Sequence, residues 1–364
     1  MAISFDLTEE QQLLVDTIAK FAMNELRKAA REAEETTELP KRLIETGWAL
    51  GLVPSNIPEA YGGFGAHSAL NGVLAAEHLA YGDLAATLAI MAPALFASPL
   101  ERCGTEAQKT AYLPRFADEP YYPATAALIE PRIRFDPYYL HTTAEVDGDT
   151  YRLNGHKCFV PLAAEARLML VYAREDDQTQ AFIVERDTPG VTVGPRESNM
   201  GWRALPTYEV ALADVRVPRE NRLGGEGGCD FRQVLGYSKV GLAAMAVGVA
   251  KAAYEFAREY AKERVTFGEP IAQKQAIAFM LAEMALEIDA VRLMTWEAAW
   301  KLDKGQDATR ECYLAKMTAD DMALKVTDNA VQVLGGHGYI RDNPVEMWLR
   351  NARGFVTMEG MATA

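Results

Sequence analysis

The sequence predicts an α+β protein of three modules, helical at both ends and rich in β-strands in the middle. Its 364 residues are enough for two or three domains at roughly 150 residues each. Apolar residues recur at helical spacing near both ends, whereas the middle has short apolar runs separated by turn residues. We therefore expect an N-terminal helical domain over 1–118, a middle β domain over 119–222 and a C-terminal helical bundle over 223–364.

The N-terminal region has helix-start signals followed by helical periodicity. Thr8 and Gln11 form a T-x-x-Q capping box ahead of an apolar pattern that includes Leu14 and Ile18. An alanine-rich run from Leu70 to Ile90 predicts one buried helix. This part of the chain is expected to be entirely helical.

The middle region consists of short strand-like runs. They cover Thr142–Val146, Tyr151–Leu153, Leu168–Tyr172, Ala181–Val184 and Val210–Val217. Between the first two runs, Asp147-Gly148-Asp149 is typical of a hairpin turn. A compact β domain is the expected result.

Helical spacing returns after the loop that ends at Cys229. A long helix carries an apolar stripe at i, i+4 and i+7 spacing, which we assign to core packing: Ile277, Leu281, Met284, Ile288 and Val291. A second helix is predicted over Thr309–Leu334. These helices indicate a four-helix bundle.

Composition excludes several classes of function. With 37 Lys and Arg against 51 Asp and Glu, the net charge is −14, so neither a nucleic-acid nor an anionic-membrane surface is expected. The four cysteines form no CxxC pair and the five histidines show no HExxH spacing, so no metal site is expected. The sequence has neither a signal-peptide pattern nor an uninterrupted apolar run of about 18 residues, which predicts a cytoplasmic protein.

General nucleotide motifs are also missing. No GxGxxG follows a strand, and neither GxxxxGK[ST] nor GxSxG occurs. A glycine-rich segment, Gly335–Tyr339, lies between two predicted helices. By itself such a segment indicates a helix end rather than a ligand loop.

Five separated segments resemble acyl-CoA dehydrogenases, in the order found in that family. They are FDLTEEQQ, NMGWRALPTYEVALADVRVP, ERVTFGEPIAQKQ, QAIAFMLAEM and QVLGGHGYIRDNPVEMWLRNAR. The resemblance implies a helical domain, a β-barrel-like domain and a four-helix bundle, assembled as a homotetramer. It also implies FAD as cofactor, an acyl-CoA substrate from fatty acid metabolism and an electron-transfer flavoprotein as acceptor.

The resemblance assigns the catalytic base to Glu359, in Thr357-Met358-Glu359-Gly360. It would remove the α-proton of an acyl thioester while a hydride leaves the β-carbon for the flavin, and its backbone N–H would donate to the thioester oxygen. Some relatives carry the base on an earlier helix, but the matching residue here is Ser238. Lys239 and Gly360 are assigned to the substrate, with Lys239 near the coenzyme.

One set of flavin-binding residues is expected to reach the cofactor from a neighbouring subunit. It comprises Arg264, Phe267, Gln275, Gln332, Gly335 and Gly336. Arg264 would pair with the pyrophosphate, and the glycines would let the backbone approach it. Together, Lys239 and Arg264 suggest a cationic pocket within an acidic protein.

The flavin-binding set within the same subunit departs from the family pattern. Ile129 and Phe135 replace hydroxyl donors, Pro161 ends the segment that lies against the flavin, and Met361 replaces a threonine. Phe159 keeps the ability to stack on the ring. These changes leave two alternatives open: a flavin-poor subunit of a heteromeric dehydrogenase, and a non-redox acyl-CoA lyase or isomerase on the same fold.

Overall fold

The computed structural model describes residues 6–117 and 120–364. The predicted boundary at 118 and 119 lies outside the described residues. The last N-terminal helix ends at Ala117 and the first strand begins at Ala124, while the last long strand ends at Pro218 and the following helix begins at Phe231.

The N-terminal domain is helical throughout its described part. Its helices are α1 (Glu9–Phe21), α2 (Arg27–Thr36), α3 (Lys41–Trp48), α4 (Ala69–Gly82), α5 (Leu84–Met91), α6 (Ala94–Cys103), α7 (Glu106–Tyr112) and α8 (Pro114–Ala117). The capping box is confirmed, because the Thr8 hydroxyl accepts from the Gln11 N–H at 3.2 Å and the Gln11 side chain accepts from the Thr8 N–H at 3.1 Å. A π-helical turn, Ala22–Leu26, connects α1 to α2.

The prediction of one helix over Leu70–Ile90 is wrong, because the chain breaks at Asp83. This residue has extended backbone angles (φ −158°, ψ 129°), and its Oδ1 accepts from the Ala86 N–H at 2.8 Å. It therefore caps α5 instead of continuing α4, a competition with helical hydrogen bonding that short polar side chains favour. The sequence pattern did not indicate this helix end, because the residues on both sides of Asp83 are mostly small and apolar.

Asp83 should make the protein less stable as the pH rises. Burial raises the pKa of its carboxyl group from 3.8 to about 6. The folded state is stabilised by holding this carboxyl group in its protonated form. This contribution to the free energy of unfolding is fully present below pH 3.8 and is lost as the pH rises through about 6. Asp83→Asn keeps a capping oxygen and should raise the free energy of unfolding above pH 7 by about 1–3 kcal/mol.

Urea unfolding between pH 4 and 8 measures this effect. The exposed carboxylate of Asp187 offers the control, since Asp187→Asn should leave the curve unchanged. An Asp83→Asn protein with the pH dependence of the wild type would contradict the assignment.

The middle domain contains one curled, open sheet. Its strands are β1 (Ala124–Ala127), β2 (Thr143–Asp147), β3 (Thr150–Pro161), β4 (Leu168–Glu175), β5 (Gln178–Glu185), β6 (Val191–Arg196) and β7 (Thr207–Pro218). The order is β1-β4-β2-β3-β7-β6, and β5 pairs with β4. The hairpin turn is confirmed, since Asp147 pairs with Thr150 across Gly148, whose φ is +62°. Two strands, β1 and β6, were not predicted: β1 is four small residues, and β6 shows no regular alternation of burial.

The C-terminal domain is built from three long helices and shorter segments. The elements are α9 (Phe231–Glu263), β8 (Val265–Thr266), β9 (Glu269–Pro270), α10 (Gln275–Asp303), α11 (Thr309–Leu334), α12 (Gly336–Tyr339) and α13 (Val345–Arg353). The core stripe is confirmed, because Met284, Ile288 and Val291 are at most 3% exposed. The prediction of a helix over Thr309–Leu334 matches α11.

Helix α9 lies at the centre of the fold, between α4, α10 and α11. By length and composition it could cross a bilayer, but 78% of its most apolar window is buried within the protein. Core packing accounts for this apolar character. The position of α9 also brings its first two turns to the site described next.

Candidate active site

Glu359 follows α13 and a short 3-10 turn, and its side chain lines a cavity of about 620 Å³. We call this the Glu359 cavity. Its other lining residues come from the loop before β2, the start of α9 and the start of α11: Asp136, Pro137, Tyr138, Arg232, Gly236, Lys239, Asp307, Thr309, Arg310, Cys312, Tyr313 and Leu314. Three segments distant in the sequence therefore meet around one carboxylate.

The carboxylate of Glu359 is held by an ion pair. Lys239 Nζ lies 2.8 Å from Glu359 Oε1, and the two side chains are only 11% and 20% exposed. The ammonium group also lies 5.6 Å from the ring centroid of Tyr313. No donor from the described part of the chain contacts the other oxygen, Oε2, which is thus available to accept a proton.

The backbone after Glu359 is fixed by a hydrogen bond to α9. The Gly360 N–H donates to Ser238 Oγ at 3.1 Å. Gly360 has φ +69°, and a Cβ there would come within 2.6 Å of Leu128 Cδ2. Glycine is therefore required at position 360. Ser238, which the sequence showed only to be unsuitable as a base, holds this segment against α9 through the hydrogen bond.

Sequence reasoning missed several residues of the Glu359 cavity, including Arg232, Tyr138, Arg310 and Tyr313. Helical spacing could have indicated one of them, because Arg232 precedes Lys239 by seven residues and shares its face of α9. Arg232 and Arg310 add cationic groups suited to phosphate. Burial raises the pKa of the Cys312 thiol to about 12, so this group stays neutral and offers no competing nucleophile.

The predicted neighbour-directed residues occupy a different region. Arg264 follows α9, and Gly335 and Gly336 follow α11, where they share a cavity of about 350 Å³ with Tyr260, Thr266, Ile271, Val333, Leu334 and His337. Phe267 is 98% exposed at the tip of the β8–β9 hairpin, with φ +53°. Gln275 and Gln332 are exposed as well.

Within a single chain, Lys239 and Arg264 do not share a pocket. Lys239 lines the Glu359 cavity, whereas Arg264 lines the cavity beside Gly335. Lys239 also binds the carboxylate of Glu359 directly, a contact that the sequence did not indicate. Within one chain, the predicted base and the predicted pyrophosphate residues remain apart.

The altered same-subunit positions are apolar and mostly buried. Ile129, Pro161 and Met361 are buried, and Phe135 is half-buried, so side-chain donors are missing from these four positions. Phe159 has φ +53°, and its N–H donates to both carboxylate oxygens of Glu197 at 3.2 Å. Its side chain is partly buried against the large core cluster of the protein.

Metal chemistry has no candidate centre in the described ranges. No group of three or more His, Cys, Asp or Glu side chains in 6–117 and 120–364 is arranged to hold a metal ion.

Comparisons with known proteins cover almost the whole chain. The N-terminal, middle and C-terminal domains of acyl-CoA dehydrogenases match residues 8–120, 125–215 and 225–362. The probable acyl-CoA dehydrogenase YngJ of Bacillus subtilis (strain 168) is 38% identical over 361 residues, which cover 96% of this chain and 94% of that protein.

Solved structures agree with the sequence matches. Butyryl-CoA dehydrogenase from Megasphaera elsdenii has a TM-score of 0.89 and 34% identity, with 99% of this chain and 96% of that chain covered. The FAD complex of PigA has a TM-score of 0.89 and 28% identity, with coverage of 97% and 94%. The chain therefore belongs to the acyl-CoA dehydrogenase family, whose three-domain fold it has, and it is an oxidoreductase acting on CH–CH groups.

Proposed function

We propose that this chain dehydrogenates an acyl-CoA between its α and β carbons, with Glu359 as the base and FAD as the cofactor. The observation that carries the proposal is the Glu359 carboxylate, ion-paired through one oxygen at the wall of a large cavity. Arg232 and Arg310 line the same cavity and offer donors to the phosphates of a thioester carrier, beside the carboxylates of Asp136 and Asp307. A carboxylate that is held through one oxygen, and whose other oxygen has no donor among the described residues, is positioned to remove the α-proton of a bound thioester.

The region around Arg264 fits the pyrophosphate of FAD. A guanidinium offers paired donors to phosphate, and a methyl group at Gly335 or Gly336 would project into open space. Arg264, Gln332 and these glycines would hold the pyrophosphate, and Phe159 would lie at the flavin ring. FAD, when bound, supplies the acceptor for the hydride that leaves the β-carbon.

The chain's own residues would perform the remaining steps. Glu359 Oε2 takes the α-proton, while Lys239 keeps the carboxylate oriented through Oε1. The Glu359 N–H donates to the thioester oxygen and so stabilises the charge that develops there. Ser238 holds this backbone in place through Gly360. Arg232 and Arg310 attract the coenzyme phosphates.

We propose a homo-oligomer, as in the homotetramer implied by the sequence resemblance. The six neighbour-directed residues are exposed in the single chain and lie apart from the Glu359 cavity. Helix α10 also exposes apolar side chains at exact seven-residue intervals, the spacing of a helix-packing seam: Phe279, Leu286, Leu293 and Trp300. A second copy would cover this stripe and bring its Arg264 to the first copy's flavin.

An electron-transfer flavoprotein is the proposed acceptor of the electrons that the reduced flavin holds.

The α10 stripe gives a direct test of this assembly. Leu286, which is 71% exposed, should tolerate Glu in the isolated chain but not in a packed seam. Leu286→Glu should therefore yield a smaller species by light scattering, with at least a roughly tenfold loss of bound flavin once the neighbour's contacts are gone. Leu13→Glu, at a 69% exposed position on α1, is the matched control. Unchanged mass and flavin content in Leu286→Glu would contradict the proposal.

Product analysis tests the proposed reaction. Incubating the protein with butyryl-CoA and an artificial electron acceptor should give an acyl-CoA that has lost two hydrogens, detected by mass spectrometry. A product of unchanged mass, or cleavage without any acceptor, would indicate the lyase or isomerase alternative instead.

The apolar same-subunit positions favour one further candidate, a flavin-poor subunit. Such a subunit would supply Arg264 and the Gly335 turn to the flavin of a different chain. Colourless protein that acquires flavin only after mixing with a second dehydrogenase chain would support it, and a yellow homo-oligomer with one flavin per chain would exclude it.

A further inference from the structure

A second, much smaller cavity lies next to the segment that follows Glu359. It has a volume of about 20 Å³ and a mostly apolar lining: Leu95, Pro99, Ala126, Leu128, Tyr172, Phe231, Val234, Leu235, Ser238, Gly360, Ala362 and Thr363. We call it the inner cavity. It borders Gly360 and Ser238, whereas the Glu359 cavity borders the neighbouring residues Glu359 and Lys239.

The two cavities differ in chemistry as well as in size. The Glu359 cavity contains Arg232, Arg310 and Lys239, which suit a phosphorylated carrier. The inner cavity is lined mainly by hydrocarbon, which suits an acyl chain. An acyl-CoA whose reacting carbons lie at Glu359 would therefore direct its coenzyme into the first cavity and its acyl end into the second.

Part of the wall of the inner cavity consists of tightly packed rings. Phe231 contacts Tyr172 at 5.4 Å and Tyr138 at 5.6 Å between ring centroids. Leu95 and Leu235 are at most 4% exposed and belong to the same core cluster. Side chains packed at core density cannot make room for extra methylene groups without strain.

The volume limits the length of the acyl group. By the same measure, one water-sized group needs about 10–15 Å³, so the inner cavity has room for about one methyl group beyond the reacting carbons. We infer that the protein selects acyl groups of about three or four carbons, with Phe231 and Leu95 setting the limit. This inference rests on the proposed function and names the substrate class of that site.

Turnover of an acyl-CoA series tests the limit. Propionyl-CoA and butyryl-CoA should give the highest kcat/KM, and octanoyl-CoA should be about 10–100-fold poorer because its chain overpacks the cavity. Equal kcat/KM for butyryl-CoA and octanoyl-CoA would overturn the inference and leave the proposed reaction intact.

A second measurement removes the dependence on catalysis. S-butyl, S-hexyl and S-octyl coenzyme A are thioethers without a carbonyl and cannot be dehydrogenated, so titration calorimetry on the purified holoprotein reports binding alone. The Kd should stay level or weaken as the chain lengthens. If the Kd instead falls about fourfold with each added methylene group, as expected for a fully buried methylene, the inference is overturned. This result would count even in a protein that turns over no acyl-CoA.

Enlarging the cavity should reverse the preference. Phe231→Ala, or the milder Phe231→Leu if the first variant unfolds, should raise kcat/KM for octanoyl-CoA relative to butyryl-CoA by about tenfold. Phe64→Ala removes an exposed ring elsewhere and should leave the ratio unchanged. A folded Phe231 variant with the chain-length profile of the wild type would show that Phe231 does not set the limit.

Discussion

Replacing Glu359 by Gln is expected to lower kcat by about a hundredfold to ten-thousandfold, the usual contribution of a positioned general base. Gln has the same shape, and its amide oxygen can still accept from Lys239, so the contact at 2.8 Å should persist. What is lost is the ability to take the α-proton. Anaerobic stopped-flow measurement of flavin reduction after addition of butyryl-CoA reports this step directly.

Glu311 provides a matched control for that variant. It forms an ion pair with Lys301 at 2.7 Å and is 17% exposed, close to the values for Glu359 and Lys239, but it does not line the Glu359 cavity. Glu311→Gln should reduce flavin at the rate of the wild type. Equally fast reduction in Glu359→Gln, with its flavin content unchanged, would show that another group removes the proton.

Replacing Arg264 by Ala is expected to weaken FAD binding by about tenfold to a hundredfold. The reason is the loss of charge-assisted hydrogen bonds to the pyrophosphate, which are stronger than neutral ones. Apolar side chains occupy the same-subunit positions Ile129, Pro161 and Met361, so little else can compensate. Flavin fluorescence released during serial dilution of the purified protein measures the change.

Arg258, in the last turns of α9 before Arg264, is the corresponding control. It is partly exposed, pairs with Glu259 and lies outside the cavity beside Gly335. Arg258→Ala should retain flavin like the wild type. Should Arg264→Ala retain flavin equally well, the assignment of the pyrophosphate to this region would be wrong.

Mixing the Arg264→Ala and Glu359→Gln proteins adds a further test. A mixed oligomer can combine an intact base from one chain with an intact Arg264 from the other, so mixing should restore part of the dehydrogenase activity that each variant lacks alone.

Periodicity and capping signals predicted much of the fold because they are local. Thr8 caps α1, α11 has its predicted bounds, and the stripe through Met284 lies in the core. The break at Asp83 was missed because a single cap was hidden in an apolar run, and β1 was missed because its four small residues carry no strand signal.

The candidate site was less predictable because it depends on contacts between distant segments. Resemblance pointed to Glu359 and Gly360, but the ion pair with Lys239 joins residues 120 positions apart. Tyr138 and Tyr313 reach the same cavity from two other segments. The size of the inner cavity depends on how Phe231 packs against Tyr172, which only the folded chain determines.

The most direct test of the central claim is the visible spectrum of the purified protein, recorded anaerobically before and after butyryl-CoA. We expect a yellow oligomer with about one flavin per chain, whose visible band bleaches as the enoyl product forms. Flavin that stays oxidised in a fully loaded protein, across the short-chain acyl-CoA series, would contradict it.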